Sequence, residues 1–353
     1  MITMSSGSSE IFVASPARQN RVTLRKTVIS CALLAGTLLF AIVLMSLIGS
    51  EQLPARASLC ALASLGTTPC GLTRDQFDIL FQIRLPRILL AAAVGGSLAT
   101  AGAAYQALLR NPLAEPYLLG ISNGAAVGTM IALIFFGSIE WTRPVLAFTG
   151  ALLATLAVYR LARGRTGATP ERLILAGVIV TTFLSSVIVF VTTLMDATRI
   201  RSFTFWLLGD LSGTSKSLLP IAITITVAGA LALTLHARSL NLLMLGERDA
   251  FDLGVEVGRV RVVVFLVASL LVGSSVAASG SVGYVGLVVP HLARLSLGSD
   301  NRISIPAAAL GGALFVIVAD TVARTMIAPR ELPVGAITAL IGAPLFIYLL
   351  KRA

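Results

Sequence analysis

Long apolar runs separated by short polar segments dominate the chain, and ten such runs can be drawn. Most approach the roughly 20 residues that a membrane-spanning helix needs. The eighth is short and contains Pro290, so it requires protein or a water-filled cavity around it. The pattern predicts an all-α polytopic membrane protein of ten transmembrane helices. The predicted spans are Thr27–Ile48, Arg87–Leu109, Leu118–Phe136, Pro144–Leu161, Arg172–Leu194, Leu218–His236, Val260–Ala278, Val282–Leu297, Pro306–Thr325 and Val334–Leu350.

Composition agrees with this pattern. Of 353 residues, 56% are hydrophobic and 12% are charged, whereas soluble proteins carry about 45–50% apolar and about 25% charged residues. These values exclude a soluble enzyme, a disordered chain and a disulfide scaffold. We expect a cytoplasmic N-terminal tail over residues 1–26 and one ten-helix transmembrane domain over residues 27–352. Within that domain, residues 240–258 form a cytoplasmic loop.

The distribution of basic residues predicts the orientation. With the N-terminus inside, an even number of spans places the C-terminus inside as well, and 17 of the 27 Lys and Arg residues then lie on the cytoplasmic side. This bias has the sign of the positive-inside rule. The net charge of +11 is therefore explained by topology in a multi-pass protein of the cytoplasmic membrane that contacts lipid, and no nucleic-acid partner is indicated.

Several kinds of chemistry are missing from the sequence. It has no GxxxxGK[ST] phosphate loop, and with two His and three Cys no metal site is expected. Acidic residues within spans, which proton-driven carriers use, are scarce. Asp320 is the deepest, and a local pair with Arg324 is expected. Cys60 and Cys70 fall in a predicted external loop, and their spacing leaves open whether they form a disulfide.

Two polar stretches flank the second predicted span. Arg84-Leu-Pro-Arg87 lies at its outer start. These arginines either anchor the span at the interface or offer exposed guanidinium groups to carboxylates of an external partner. After the span, Gln106–Gly124 contains a proline-bounded turn and continues into polar residues inside the third span. Such residues must face protein or a pathway.

The third stretch, Leu240–Val257, reads as two short helices that are stopped by Gly246 and Gly254. It could be an amphipathic helix on the membrane surface or a docking element for a cytoplasmic protein. Its centre carries three acidic residues, Glu247, Asp249 and Asp252. A helix that binds a lipid surface would be basic, so the acidic centre favours docking.

Five motifs in order resemble the permease subunits of type II binding-protein-dependent ABC importers, the FecCD group that handles ferric siderophores, haem and cobalamin. The resemblance covers about residues 75–352. The motifs are Arg84-Leu-Pro-Arg87, Gln106–Gly124, Leu240–Val257, Gly280–Arg294 and Glu331–Phe346. It implies a ten-helix permease that works as a homodimer with the pathway between the copies. It also implies a cytoplasmic ATPase subunit, which holds ATP and Mg, and an external substrate-binding protein. No cofactor is expected on this chain.

The resemblance also implies roles for individual residues. The binding protein would dock on Arg84, Arg87 and Arg324. The ATPase would couple through Leu242, Leu243, Leu245, Gly246, Glu247, Ala250, Leu253 and Gly254. The cytoplasmic gate would comprise Asn111, Leu113, Thr169 and Pro170, although the local sequence at Thr169 and Pro170 departs from the family pattern. The fifth span would line the pathway with Thr181, Thr182, Ser185 and Ser186.

The resulting hypothesis is a permease that moves a metal chelate inward with ATP hydrolysed on another chain, so that it is not itself an enzyme. Ferric siderophore is placed first as the substrate because it is the commonest assignment in the group. Cobalamin and haem are the alternatives within the same importer class. A secondary transporter and a membrane enzyme are the competing classes, and each requires intramembrane residues that the sequence lacks.

Overall fold

The computed structural model describes residues 24–137, 139, 141–164, 167–213 and 217–351, and within these ranges it is almost entirely helical. Most of the predicted N-terminal tail lies outside the described residues. The α-helices are α1 Leu24–Leu47, α2 Ala55–Ala63, α3 Arg74–Asp78, α4 Leu85–Leu108, α5 Ile121–Phe135, α6 Thr142–Ala162, α7 Pro170–Thr192, α8 Ala197–Leu207, α9 Leu218–Leu235, α10 Ala237–Leu245, α11 Glu247–Asp252, α12 Val257–Ser279, α13 Val285–Leu297, α14 Asn301–Thr325 and α15 Val334–Leu350. A π-helical stretch, Ile79–Arg84, joins α3 to α4, and a 3₁₀ turn, Pro116–Leu119, precedes α5.

Each predicted apolar run coincides with a helix. Among the described residues, seven helices are long and apolar enough to cross a membrane: α1, the continuous helix Arg74–Leu108, α6, α7, α9, α12 and α14. The apolar helices α5, α13 and α15 are shorter, and α13 contains Pro290 as expected. The prediction of an all-α polytopic membrane protein is confirmed, whereas the number of spans and the side on which the termini lie remain predictions.

Helix α4 is the centre of the molecule and packs against α14, α12, α13 and α9. Glycines allow its backbone to touch two of these neighbours. A Cβ on Gly95 would overlap the carbonyl oxygen of Gly312 in α14, and one on Gly102 would overlap that of Gly286 in α13. Small residues at such positions let membrane helices approach closely. The interior of the fold is therefore organised around α4 and α14.

Helices α2, α3 and α8 lie where the sequence predicted only loops. Helix α8 begins after Asp196, whose carboxylate accepts a hydrogen bond from the backbone N–H of Arg199 at 3.0 Å. This is an N-cap signal, and a search for long apolar runs misses it. Helix α2 carries Cys60, which forms a disulfide with Cys70. The disulfide closes the segment between α2 and α3.

A two-stranded antiparallel ribbon connects α6 to α7. Its strands are β1 (Arg163–Gly164) and β2 (Gly167–Ala168), with Arg163 opposite Ala168. Thr169 follows β2 directly, and Pro170 is the first residue of α7. Proline suits that position because the first helical N–H has no partner within the helix. The ribbon therefore fixes where α7 begins.

Candidate functional site

Helix α14 links two polar regions at opposite ends of the molecule. At about 1.5 Å per residue, the 23 steps from Asn301 to Arg324 span about 35 Å. The arginine cluster, defined as Arg84, Arg87, Asp320, Arg324 and Glu331, lies at the C-terminal end of α14. The coupling element, defined as residues 237–254 and containing α10 and α11, contacts the N-terminal end of α14.

Arg87 is the centre of the arginine cluster. Its Nε donates to both carboxylate oxygens of Asp320, at 3.0 and 3.1 Å, and its Nη2 lies 2.9 Å from Asp320 Oδ1. Its Nη1 donates to Glu331 Oε2 at 2.7 Å. One carboxylate is buried and the other is half-exposed. Arg87 thus joins the start of α4 to α14 and to the segment before α15.

The other two arginines hold the end of α1. Arg84 Nη1 donates to the backbone carbonyls of Ser46 and Leu47, at 3.2 and 3.4 Å, and its Nη2 donates to the carbonyl of Glu51. Arg324 Nη2 donates to the carbonyl of Met45 at 2.7 Å. The last carbonyls of a helix lack partners within it. These two guanidinium groups therefore provide donors where α1 ends.

These contacts correct two expectations from the sequence and add a closer partner to a third. Arg84, Arg87 and Arg324 are only 4%, 7% and 7% exposed, so the expected exposed pair at Arg84 and Arg87 is wrong. Both arginines lie inside the continuous helix Arg74–Leu108 instead of at its outer start. The expected pair of Asp320 with Arg324 is present, with Arg324 Nε 3.8 Å from the carboxylate, but Arg87 lies closer, at 2.9 Å, and is the main partner. A docking role for the three arginines stays a prediction.

The coupling element has the predicted form of two short helices, each followed by a glycine. Gly246 and Gly254 have φ values of +147° and +84°, which L side chains rarely adopt. Leu243 and Ala250 are buried against the rest of the chain, Leu242 is half-buried, and Leu245 and Leu253 are exposed. Phe251, which the sequence analysis did not select, is 71% exposed. The element therefore presents an apolar apex formed by Leu245, Phe251 and Leu253.

Polar contacts hold the coupling element on two sides. On α10, the side chain of Asn241 donates to Asp300 Oδ1 at 2.7 Å and accepts from the backbone N–H of Asn301 at 2.9 Å. On α11, Glu247 Oε1 accepts from Arg261 of α12 at 2.5 Å. Burial raises the pKa of Asp300, but hydrogen bonds from Arg302 and Asn241 outweigh it and leave that pKa below its ordinary value.

The predicted gate turn follows α4. The side chain of Asn111 accepts from the backbone N–H of Leu113 at 2.9 Å, which fixes the turn. Leu113 is exposed. Glu115, next in the turn, accepts from the backbone N–H of Tyr284 at 3.2 Å. Burial raises the pKa of Glu115. The turn is therefore tied to the segment that precedes α13.

The second half of the predicted gate lies at the start of α7, and its proposed lining follows on the same helix. Thr169 precedes the helix and Pro170 begins it. Asn123 of α5 donates to the carbonyl of Thr181 at 3.0 Å and to Ser185 Oγ at 2.8 Å. The hydroxyls of Thr182 and Ser186 donate to carbonyls of α7 itself. Thr182, Ser185 and Ser186 are exposed in the single chain, and Thr181 is half-buried.

Comparison with known proteins identifies the family. The model of the FecCD transport family matches residues 37–352. The chain belongs to the FecCD transport family. It is 39% identical over 326 residues to the hemin transport system permease protein HmuU of Yersinia pestis, covering 91% of this chain and 96% of that protein. It is 43% identical over 281 residues to the vitamin B12 import system permease protein BtuC of Vibrio cholerae, covering 78% and 83%.

A solved structure agrees with this assignment. An inward-facing transporter assigned as a metal-chelate type ABC transporter superposes with a TM-score of 0.80 at 30% identity, covering 93% of this chain and all of the other. This FecCD chain is thus a multi-pass permease subunit of the type II ABC importers, and a transport subunit of this kind is not itself an enzyme. Among the described residues of the permease, no group of His, Cys, Asp and Glu could hold a metal ion.

Sequence reasoning missed two residues of this FecCD permease, Arg261 and Glu331. Arg261 interrupts an apolar run on α12 and is buried, and a buried cation requires acceptors. Its partners, Glu247 and the carbonyl of Ala168, are at 2.5 and 2.6 Å. Glu331 was quoted within a motif without a role, although it neutralises Arg87. Neither local sequence segment indicates which residue is the ion-pair partner of Arg261 or of Glu331.

Proposed function

We propose that this permease moves a bulky metal chelate inward across the cytoplasmic membrane, using ATP that a separate cytoplasmic ATPase subunit hydrolyses with Mg. The observation that carries the proposal is the coupling element. Its apex of Leu245, Phe251 and Leu253 is exposed, whereas Asn241 and Glu247 fasten it to the start of α14 and to α12. Exposed apolar patches with polar rims are typical of protein-binding surfaces.

A second copy of the chain would complete the pathway. Helix α7 leaves Leu175, Val178, Phe183 and Phe190 exposed on one chain, together with the hydroxyls of Thr182 and Ser186. In a membrane such a mixed face meets either protein or a water-filled cavity. We therefore expect a homodimer in which the two α7 helices line the route, with Asn111, Leu113, Thr169 and Pro170 at the cytoplasmic gate.

A substrate-binding protein would dock at the arginine cluster. Because Arg84, Arg87 and Arg324 are buried, a carboxylate of that protein must approach at the rim, where the half-exposed Glu331 already contacts Arg87. Replacing Glu331 with Gln removes a negative charge from this rim without emptying a buried site. We expect Glu331→Gln to strengthen docking about threefold or more, by reducing like-charge repulsion. Equal or weaker affinity would contradict this docking site.

The substrate class follows from the family. The resemblance places ferric siderophore first, while the named relatives transport hemin and vitamin B12. All three are large metal chelates that one wide, weakly binding cavity would admit. The substrate-binding protein would then select among them.

Uptake in a strain that lacks this gene tests the function and the substrate together. Labelled ferric siderophore, haem and cobalamin are supplied separately, and we expect uptake of one to disappear. The intact gene should restore it, and a gene with Leu245→Asp and Phe251→Asp should not. The matched control is Leu65→Asp, which changes an exposed leucine far from the coupling element. Unchanged uptake of all three would contradict the substrate class.

A further inference from the structure

A buried arginine connects the coupling element to the segment that leads into α7. Arg261 lies one turn into α12, between Val260 and Val262, and its side chain is 7% exposed. Its Nη2 donates to Glu247 Oε1 at 2.5 Å, and its Nη1 donates to the carbonyl of Ala168 at 2.6 Å. Glu247 is the first residue of α11, and Ala168 is the last residue of β2.

The second contact lies immediately before the predicted gate. Ala168 is followed by Thr169 and by Pro170, the first residue of α7. The ring of Pro170 fixes its φ angle, and the pairing of β2 with β1 restrains Ala168 from the other side. The backbone between Ala168 and α7 is therefore restrained, so a displacement of the Ala168 carbonyl should also move the first turn of α7.

The guanidinium group is suited to joining two acceptors. It is planar and rigid, and its donors point in fixed directions, so it can hold a carboxylate and a carbonyl at once. A buried cation that loses an acceptor incurs a desolvation penalty. Movement of Glu247 away from Ala168 would break one of the two contacts. The two elements are therefore expected to move together.

We propose that Arg261 is a positioning residue that transmits movement of α11 to the first turn of α7. This inference rests on the proposed function, because it names the contact through which the ATPase would act on the gate. The contact between Asn241 and Asp300 holds α10 to the start of α14. Arg261 therefore provides the separate link from α11 towards α7.

Transport per ATP tests the proposal. The permease is reconstituted in liposomes with its ATPase and binding protein, and the substrate moved is divided by the phosphate released. Arg261→Gln should lower this ratio at least tenfold. Arg261→Lys keeps the positive charge but lacks the planar set of donors, so its ratio should lie between that of the wild type and that of Arg261→Gln. The matched control is Arg259→Gln on the same helix. Arg259 forms an exposed pair with Glu256 at 3.5 Å and touches neither element, so its ratio should equal that of the wild type.

A distance measurement on the purified permease provides a readout that needs no ATPase. Spin labels replace the exposed residues Arg248 of α11 and Leu175 of α7, in a background without the free Cys31. The distance distribution should be narrow with Arg261 and broad with Arg261→Gln. If Arg261→Gln does not fold, Glu247→Gln removes the charge attraction while it keeps an acceptor, and it should broaden the distribution less.

The possible results distinguish failure of the proposed role of Arg261 from failure of the proposed function. A wild-type ratio in Arg261→Gln overturns the proposal, and so does a lowered ratio with an unchanged distance distribution, since that result indicates a role elsewhere in the structure. If the wild-type complex moves no metal chelate with ATP, the proposed function fails instead. The label distances then still decide whether Arg261 joins α11 to α7.

Discussion

The arginine cluster and the coupling element lie at opposite ends of α14 and use their polar side chains differently. In the arginine cluster, three guanidinium groups are buried and their acceptors belong to the same chain. In the coupling element, polar side chains fasten two short helices from behind while apolar ones face outward. The buried arginines find their hydrogen-bond acceptors within the chain, whereas the exposed apex of the coupling element requires another surface to cover it.

This difference has energetic consequences. Removing one partner of a buried ion pair leaves an uncompensated charge and is strongly destabilising. Replacing an exposed apolar residue changes stability little but alters what the surface binds. Substitutions of the buried arginines and of Asp320 should therefore act on folding, whereas substitutions at the apex or of the half-exposed Glu331 should act on association.

The largest effect is expected from Arg87→Ala. It leaves Asp320 buried without its main partner, and we expect a loss of about 3–5 kcal/mol in the free energy of unfolding. Equilibrium unfolding in mixed detergent micelles measures this loss. The control is Arg199→Ala, which removes an exposed pair with Asp196 and should cost less than about 1 kcal/mol. Similar losses in the two variants would contradict the burial argument.

A smaller loss in the free energy of unfolding is expected from a substitution where α14 packs against α4. Gly95→Ala places a methyl group on the carbonyl of Gly312, so α4 and α14 must separate. Overpacking of this kind costs about 1–3 kcal/mol. In the control, Gly36→Ala on α1, the methyl group meets no atom within 4 Å, and the higher helix propensity of alanine should add about 0.5–1 kcal/mol. Opposite signs in unfolding measurements would confirm the contrast.

The apex should respond through association. Leu245→Asp with Phe251→Asp should keep the free energy of unfolding within about 1 kcal/mol of the wild type, since both side chains are exposed. Binding of the ATPase subunit, measured by titration in detergent, should weaken tenfold or more, which corresponds to about 1.4 kcal/mol or more. Leu65→Asp is the control and should change neither quantity. Wild-type ATPase affinity in the double variant would remove the proposed role of the apex.

The sequence predicted the coupling element better than the arginine cluster, and the reason is the range of the interactions involved. The two short helices depend on local signals, namely the apolar spacing and the glycines at 246 and 254. Arg87 and Asp320 are 233 residues apart, and only the packing of α4 on α14 brings them together. A local rule found only the longer pair of Asp320 with Arg324, at 3.8 Å. The helix that contains the second predicted span also begins earlier than hydropathy indicated, because residues 74–84 are helical but mixed in polarity.

The smallest predicted effects are pH responses of opposite sign at the end of the molecule that holds the coupling element. Burial raises the pKa of Glu115 above its ordinary value, so the folded state binds that proton more tightly than the unfolded chain does. The stabilisation from Glu115 is therefore present at low pH and is lost as the pH rises through the raised pKa. The pKa of Asp300 is lowered instead, so its stabilisation is present at neutral pH and is lost as the pH falls through the lowered value.

Two neutral variants separate these contributions. Glu115→Gln should stabilise the permease near neutral pH and flatten the decline in stability that accompanies rising pH. Asp300→Asn should destabilise it near neutral pH and flatten the decline that accompanies falling pH. Unfolding is measured in detergent from about pH 2 to about pH 8, because the lowered pKa of Asp300 lies below the ordinary aspartate value of about 3.9 and the raised pKa of Glu115 lies above the ordinary glutamate value of about 4.3. Changes of the same sign in both variants would contradict the opposite electrostatic environments, because burial dominates at Glu115 and hydrogen bonding to Arg302 and Asn241 dominates at Asp300.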